Sequence, residues 1–293
     1  MKTRHFALAA LALTLAACNN DNENLNGGPV AAQFTADIYE AVSTRASGTT
    51  WDDGDCIGIT GAGYTNIPYV LDNNRFKPQS TVIYFNDIET KTFHAYYPYN
   101  VAGGVLAATT DATAQQNQPA IDFLFASGAT GDKDSPVVSF TDKTKDGGAD
   151  NSFHHRMSQI TLTFEAGDGV DFSQVKPERY TLNGAKLTGT FNTADGIATA
   201  DDGAQTGELT MELADGNLTS SVILFPQTAA SLPLTVNYRS QNYRATLTVP
   251  EGALQAGDNY TYTVKVRNKD LEVSEATIAK WNDVDGGEVG ADL

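Results

Sequence analysis

The stretch GDNYTYTV, Gly257 to Val264, sets the fold class. Tyr260, Tyr262 and Val264 alternate with Thr261 and Thr263. A period of two turns the bulky side chains to one face of an extended strand, whereas a helix would scatter them around its circumference. The preceding Gly257-Asp258-Asn259 is turn chemistry. The same rhythm recurs in Thr161-Leu162-Thr163-Phe164.

Working outward, strands are predicted at Cys56-Ile59, Pro68-Leu71, Thr81-Phe85, Thr92-Tyr97, Phe123-Ala126, Val137-Phe140 and Gln159-Phe164. A later set covers Arg179-Leu182, Lys186-Phe191, Gly207-Leu213, Ser221-Phe225, Leu232-Tyr238, Gln241-Val249 and Asn259-Arg267. Turn signals separate them: Asp53-Gly54, Asp146-Gly147-Gly148, Asn183-Gly184, Asp195-Gly196, Asp202-Gly203 and Asp215-Gly216. Short helical pieces are expected near Ala114-Gln118, His154-Ser158 and Asp171-Val175. Closely spaced strands without long helices predict an all-β protein built of antiparallel β-sandwiches rather than a parallel α/β sheet.

At 293 residues the chain has room for two modest domains, given about 100–200 residues per domain. The polar, Gly-rich run from Ala166-Gly167-Asp168-Gly169 to Pro177 is the expected boundary. The predicted division is a signal segment 1–17, a tether with a removable strand 18–45, an N-terminal domain 46–168 and a C-terminal domain 169–293. The net charge of −17, with 19 scattered basic residues, argues against nucleic acid as a partner, because neutralising phosphates needs clustered Lys and Arg.

Lys2 and Arg4 precede an uncharged apolar run, Phe6 to Ala17, too short to span a bilayer. It ends in Leu15-Ala16-Ala17-Cys18, similar to the lipobox of bacterial lipoproteins. That similarity implies cleavage between Ala17 and Cys18 and lipid on Cys18, which would hold the precursor on the outer membrane. Each buried acyl CH₂ contributes about 0.8 kcal/mol to such anchoring. The remaining cysteine, Cys56, then has no disulfide partner in the chain and reads as a small buried hydrophobe.

An Asn- and Gly-rich tether follows, and then Val30 to Val42, VAAQFTADIYEAV, whose Phe34, Ala36 and Ile38 suit a strand. Arg45 lies just beyond it among Ser43, Thr44, Ala46, Ser47 and Gly48, small residues that a protease accommodates in extended form. On composition alone Arg45 is an ordinary solvated loop arginine.

No catalytic constellation emerges, and neither a metal nor a cofactor is implied. His154 and His155 are adjacent, so on an extended chain they point to opposite faces and make a poor metal pair. The acidic loops Asp52-Asp53-Gly54-Asp55 and Asp195 to Gly203 do not match a twelve-residue EF-hand, and turns explain them better than calcium. A paired-carboxylate glycosidase has no supporting cleft pattern.

Four segments, in order along the chain, resemble the fimbrillin family of Bacteroidales lipoproteins, subunits of a pilus. The first is the lipobox with its polar tether. The second is Thr44-Arg45-Ala46 with Thr50-Trp51-Asp52-Asp53-Gly54-Asp55-Cys56-Ile57-Gly58-Ile59, similar to "TR…W..GD.IGI". The third is Phe153-His154-His155-Arg156-Met157-Ser158-Gln159-Ile160, similar to "F.H.MSKI". The fourth is Gly257 to Val264 with Ile278-Ala279-Lys280-Trp281, similar to "G..Y.Y.V…I..W". Cys56 departs from the small or apolar residue usual in the family.

The resemblance implies two transthyretin-like β-sandwich domains, no enzymatic activity and other pilus subunits as partners. It also implies an assembly route. A trypsin-like maturation protease cuts between Arg45 and Ala46, the first strand leaves, and a C-terminal strand of a neighbouring subunit fills the groove. Leu271, Val273, Ile278 and Trp281 are the donor-strand candidates; the competing reading is a strand that closes its own domain. A second function is a tip adhesin or non-polymerising surface lipoprotein that binds glycan or host protein, favoured if Tyr96-Tyr97-Pro98-Tyr99 is exposed.

Overall fold

The computed structural model describes residues 28–39, 50–141, 151–213 and 217–281. Ala17, Cys18, Arg45 and Ala46 lie outside the described residues. The fold is all-β, as the alternation predicts.

In the N-terminal half one eight-stranded sheet runs Val137–Phe140, Gln33–Ala36, Arg75–Pro78, Tyr64–Asp72, Cys56–Gly61, Lys91–Tyr97, Leu124–Gly131 and His154–His155. It encloses a core that includes Phe34, Ile57, Ile59, Tyr69, Phe76, Phe93, Val138, Phe140 and Phe153. In the C-terminal half, Thr219–Leu224, Ser158–Ala166 and Asp258–Val266 form a sheet edged by Leu271–Val273 and Thr277–Lys280. It faces a second sheet of Thr206–Glu212, Arg179–Lys186, Ser231–Tyr238 and Gln241–Thr248. Ile160, Leu162, Tyr260, Tyr262 and Val264 from the first meet Tyr180, Leu182, Leu209, Leu234 and Val236 from the second in one core. The apolar face read from YTYTV is therefore the face that packs.

Among the described residues two strand pairings, and the isolated bridge between Ile38 and Phe153, are parallel within an otherwise antiparallel fold. Gln33–Ala36 runs parallel to Val137–Phe140, and Ser158–Ala166 parallel to Asp258–Val266. Each joins segments about a hundred residues apart, and local patterns carry no information about such partners. The second pairing puts Ser158–Ala166, expected at the end of the N-terminal domain, into the hydrogen bonding of the C-terminal half.

Other local expectations also changed. Ala114–Ala120 is a 3-10 helix, but no helix forms at His154-Ser158 or Asp171-Val175. His154–His155 is strand, with His155 paired to Leu124. Five further strands were not anticipated: Arg75–Pro78, Val105–Thr109, Ile197–Ala200, Gln227–Thr228 and Ala253–Leu254. Their polar or small residues give a weak period-two signal.

The halves are tied together. Val105–Thr109 pairs with Thr188–Asn192, which pairs in turn with Ile197–Ala200. Beneath that sheet Phe123 stacks on Phe191, with ring centroids 4.5 Å apart. The buried side chain of Gln115 bridges the seam. Its Nε2 donates to the carbonyls of Thr110 and Ile223 at 2.9 and 2.6 Å, and its Oε1 accepts from the Ile223 amide at 3.0 Å. Gly196 has a φ of +72°, and a Cβ there would lie 2.3 Å from the Phe125 ring. A side chain at that position is excluded twice over.

Candidate functional site: an inserted strand and its seam

The segment from Val30 to Tyr39 is built into the N-terminal half. Val30–Ala31 pairs with Tyr84–Phe85, and the Ala32 amide donates to the Ile83 carbonyl at 2.9 Å. Gln33–Ala36 then lies between Val137–Phe140 on one side and Arg75–Pro78 on the other, where Phe34 pairs with Phe76. The Asp37 amide donates to the Phe140 carbonyl at 3.0 Å, and the Tyr39 amide to the Phe153 carbonyl at 2.7 Å.

Alternation decides what this strand buries. Ala32, Phe34, Ala36 and Ile38 are buried, while Gln33 and Asp37 are exposed. Phe34 is 2 % exposed and meets Tyr69 and Phe93 edge-on, with centroids 4.8 and 5.5 Å away. Burying Phe34 and Ile38 contributes roughly 3–6 kcal/mol. Without this strand, Val137–Phe140 and Arg75–Pro78 would flank an empty slot lined by Phe76, Phe93, Val138, Phe140 and Phe153. The slot accepts a small–large–small–large rhythm, the pattern of Ala32, Phe34, Ala36 and Ile38.

Tyr39 and Trp51, on either side of residues 40–49, meet the same residue. Tyr39 bonds to the backbone of Phe153, and Trp51 sets its indole against the Phe153 ring at 5.1 Å. Trp51 also meets Phe76 and Tyr97, each at 5.4 Å. The acidic turn after it is held by one internal hydrogen bond and two from neighbouring strands and turns. The Asp52 amide donates to Asp55 Oδ2 at 2.8 Å, the Asn73 amide to Asp53 Oδ1 at 3.1 Å, and the Tyr97 hydroxyl to Asp55 Oδ1 at 3.1 Å. Burial, and then the charge of Asp55, hold the Tyr97 phenol well above its ordinary range. Burial, followed by Asp55, likewise pushes the Cys56 thiol up.

A cavity of about 130 Å³ opens beside this seam. Ile38, Trp51, Asp55, Tyr97, Asp122 and Trp281 are among its walls. The two tryptophans, at opposite ends of the described chain, thus share one cavity. Trp281 stacks on His155, and His155 Nδ1 shares a 2.7 Å hydrogen bond with Asp122 Oδ1. The sequence marked the histidines as a poor metal pair, but nothing in it connected His155 to Trp281. Among the described residues, no group of three or more His, Cys, Asp or Glu side chains forms a metal-binding cluster.

The donor-strand candidates lie on their own domain. Leu271–Val273 and Thr277–Lys280 both pair antiparallel with Asp258–Val266. Leu271 and Val273 are half-buried, Ile278 is 43 % exposed and Trp281 is 5 % exposed. Leu271, Val273 and Trp281 share odd numbering, so one continuous strand would present them together and turn Ile278 to the opposite face. Glu275 and Thr277 fall on the same face as the first three.

The family model described as fimbrillin-like matches residues 44–281. The chain belongs to the fimbrillin-like family. A Bacteroides uniformis protein named as fimbrium subunit Fim1C is 27 % identical over 315 residues, covering 98 % of each chain. A solved structure of a cell adhesion protein from Bacteroides ovatus is 30 % identical, with a TM-score of 0.72, covering 87 % of this chain and 98 % of its own. The tip fimbrial protein Mfa3 of Porphyromonas gingivalis, C-terminally truncated, shares the fold alone: 10 % identity, TM-score 0.52, and coverage of 87 % and 98 %. This fimbrillin-like chain is accordingly a fimbrial, cell-adhesion type of protein, whose family places it at the cell surface among other pilus subunits.

Proposed function

We propose that this fimbrillin-like chain is a structural pilus subunit that is exported as a lipoprotein on Cys18. It is then cut between Arg45 and Ala46 and polymerised by donor-strand exchange. The docking of Gln33–Ala36 between two other strands carries the reading. A strand covalently tied to the fold only through 40–49 can leave once that tie is cut, and its slot then demands a replacement. An open slot exposes apolar surface and two unpaired edges, both strong drives for strand addition. The C-terminal residues Leu271, Val273 and Trp281 are the proposed donors. In the described chain Leu271 and Val273 close their own sheet and Trp281 packs on His155, so donation requires release from both Asp258–Val266 and His155.

The adhesin reading draws less support. Tyr96 is buried, and Tyr97 and Tyr99 are half-buried, so this loop offers no exposed aromatic platform.

The test is digestion of the lipid-free precursor with a trypsin-like protease. The expected product begins at Ala46 and forms SDS-resistant ladders, and Arg45→Ala abolishes both. A product that begins at Ala46 yet stays monomeric rejects strand exchange; absence of that product rejects the cut.

A further inference from the structure

We infer that the histidine pair His154–His155 couples the two ends of the chain, so that departure of the N-terminal strand loosens the hold on Trp281. This rests on the proposed exchange of both segments and adds an order of events: the slot empties first, and the tail is released because it has emptied. Adjacent side chains on an extended segment point to opposite faces, and here each face carries one end. On one face His154 stacks on Tyr39, at the close of the inserted segment, with centroids 4.6 Å apart. On the other His155 stacks on Trp281 at 4.2 Å.

The inserted segment holds this pair from behind. His154–His155 is a two-residue strand at the end of the eight-stranded sheet, paired with Leu124–Gly131. Just ahead of it, the Phe153 amide donates to the Asp37 carbonyl at 3.0 Å, and the Phe153 carbonyl accepts from the Tyr39 amide at 2.7 Å. When residues 30–39 leave, both of these bonds and the Tyr39–His154 stack go together. The Asp122 bond and the pairing with Leu124 stay on His155, and they form a hinge about which the imidazole tilts. A stack only 6° from parallel loses its overlap on tilting. What then secures Trp281 is weaker, although its amide still donates to the Gly257 carbonyl. By linkage the effect is mutual: if the seated strand favours a seated Trp281, a seated Trp281 favours the strand by the same factor.

The experiment uses the lipid-free chain with Cys56→Ser and a fluorophore on Cys18, the one thiol left. A recognition site for an unrelated sequence-specific protease replaces residues 43–48, so the cut does not depend on Arg45. After cutting, serial dilution gives the dissociation constant of the labelled N-terminal fragment. Trp281→Leu, which keeps an apolar side chain but no flat ring, is expected to weaken retention at least about fivefold, and Trp281→Phe to keep most of it. With Tyr39→Ala already present, Trp281→Leu is expected to change retention by less than about twofold, as for sites that no longer communicate. An unchanged dissociation constant for Trp281→Leu, or the same factor with and without Tyr39→Ala, overturns the coupling. With Trp51→Phe added, Trp281 is the one tryptophan left, and its quenching by iodide is expected to rise in step with loss of the fragment. Quenching that stays constant while the fragment leaves overturns the release. Neither readout needs a natural cut at Arg45 or the formation of ladders, so failure here is distinct from failure of strand exchange.

Discussion

The imidazole of His155 lies flat on the indole of Trp281, with centroids 4.2 Å apart and planes 6° from parallel. This contact pins the last described residue of the chain to a strand that hydrogen-bonds into the N-terminal sheet. Trp281→Ala should therefore cost about 3–5 kcal/mol, the usual range for emptying a buried aromatic site. Urea denaturation checks it, and a loss below about 1 kcal/mol would mean the stack carries no weight.

The bond from His155 to Asp122 gives a second prediction. Both side chains are largely buried, and the bond is 2.7 Å long. His155→Leu leaves the buried Asp122 Oδ1 without its imidazole partner, and stranding a buried polar group in this way costs about 1–3 kcal/mol. Adding Asp122→Leu should recover a large part of that loss, since a matched apolar pair strands no polar group. Failure of the double variant to recover stability would show that packing, not the polar bond, matters at this site.

Phe34 bears on assembly. Phe34→Ala empties the largest site filled by the N-terminal strand and should weaken its hold by about 3–5 kcal/mol. After cleavage at Arg45 the strand should leave faster. A labelled peptide spanning residues 28–45 should then dissociate from the cut chain at least tenfold faster than the parent peptide. An unchanged rate would place the retention elsewhere.

Gly58 sits between two buried isoleucines, and a Cβ there would come 2.4 Å from the Tyr96 ring. Tyr96 is held in place, its hydroxyl donating to Asn66 Oδ1 at 2.7 Å and accepting from the Asn100 amide at 3.1 Å. Gly58→Ala should lower stability by about 1–3 kcal/mol through overpacking. Gly58→Ala combined with Tyr96→Leu should restore part of it, which thermal unfolding would show.

Alkaline pH should unfold the C-terminal half. Burial pushes the Tyr180 phenol up to about 12 from an ordinary 10.0, with the Ser220 hydrogen bond acting in the opposite direction. The unfolded chain therefore loses this proton first, and it binds fewer protons than the native state above about pH 10. The stabilisation is complete below about pH 10 and is lost as pH rises through about 12. A two-unit shift corresponds to roughly 3 kcal/mol. Tyr262, pushed up to about 12 chiefly by burial, adds to the same trend. Tyr180→Phe should flatten the decline between pH 10 and 12, and an unaltered profile would count against it.

The inserted strand shows how far local pattern carries. Ala32, Phe34, Ala36 and Ile38 alternate visibly in the sequence, so a strand with one apolar face was legible. Its neighbours were not, because Val137–Phe140 and Arg75–Pro78 are separated from it by long stretches of chain. Arg75–Pro78 itself was missed, since a strand with one buried residue, Phe76, has almost no period to detect. The parity that separates Ile278 from Leu271, Val273 and Trp281 was present in the numbering but becomes meaningful only against a particular groove. The Trp51–Trp281 cavity was out of reach, because the residues that form it come from six separate segments.

By itself the sequence determined the strand-rich class, the inward face of each strong strand, the turns between them, the acidic surface and the family. These properties repeat over two to four residues or follow from composition, so they are written locally. Only the tertiary structure decided which strands pair, that two pairings run parallel, and that Gln33–Ala36 lies inside a sheet rather than at its edge. Backbone amides and carbonyls are identical at nearly every residue, so pairing is chosen by how side chains from distant segments fill one core together.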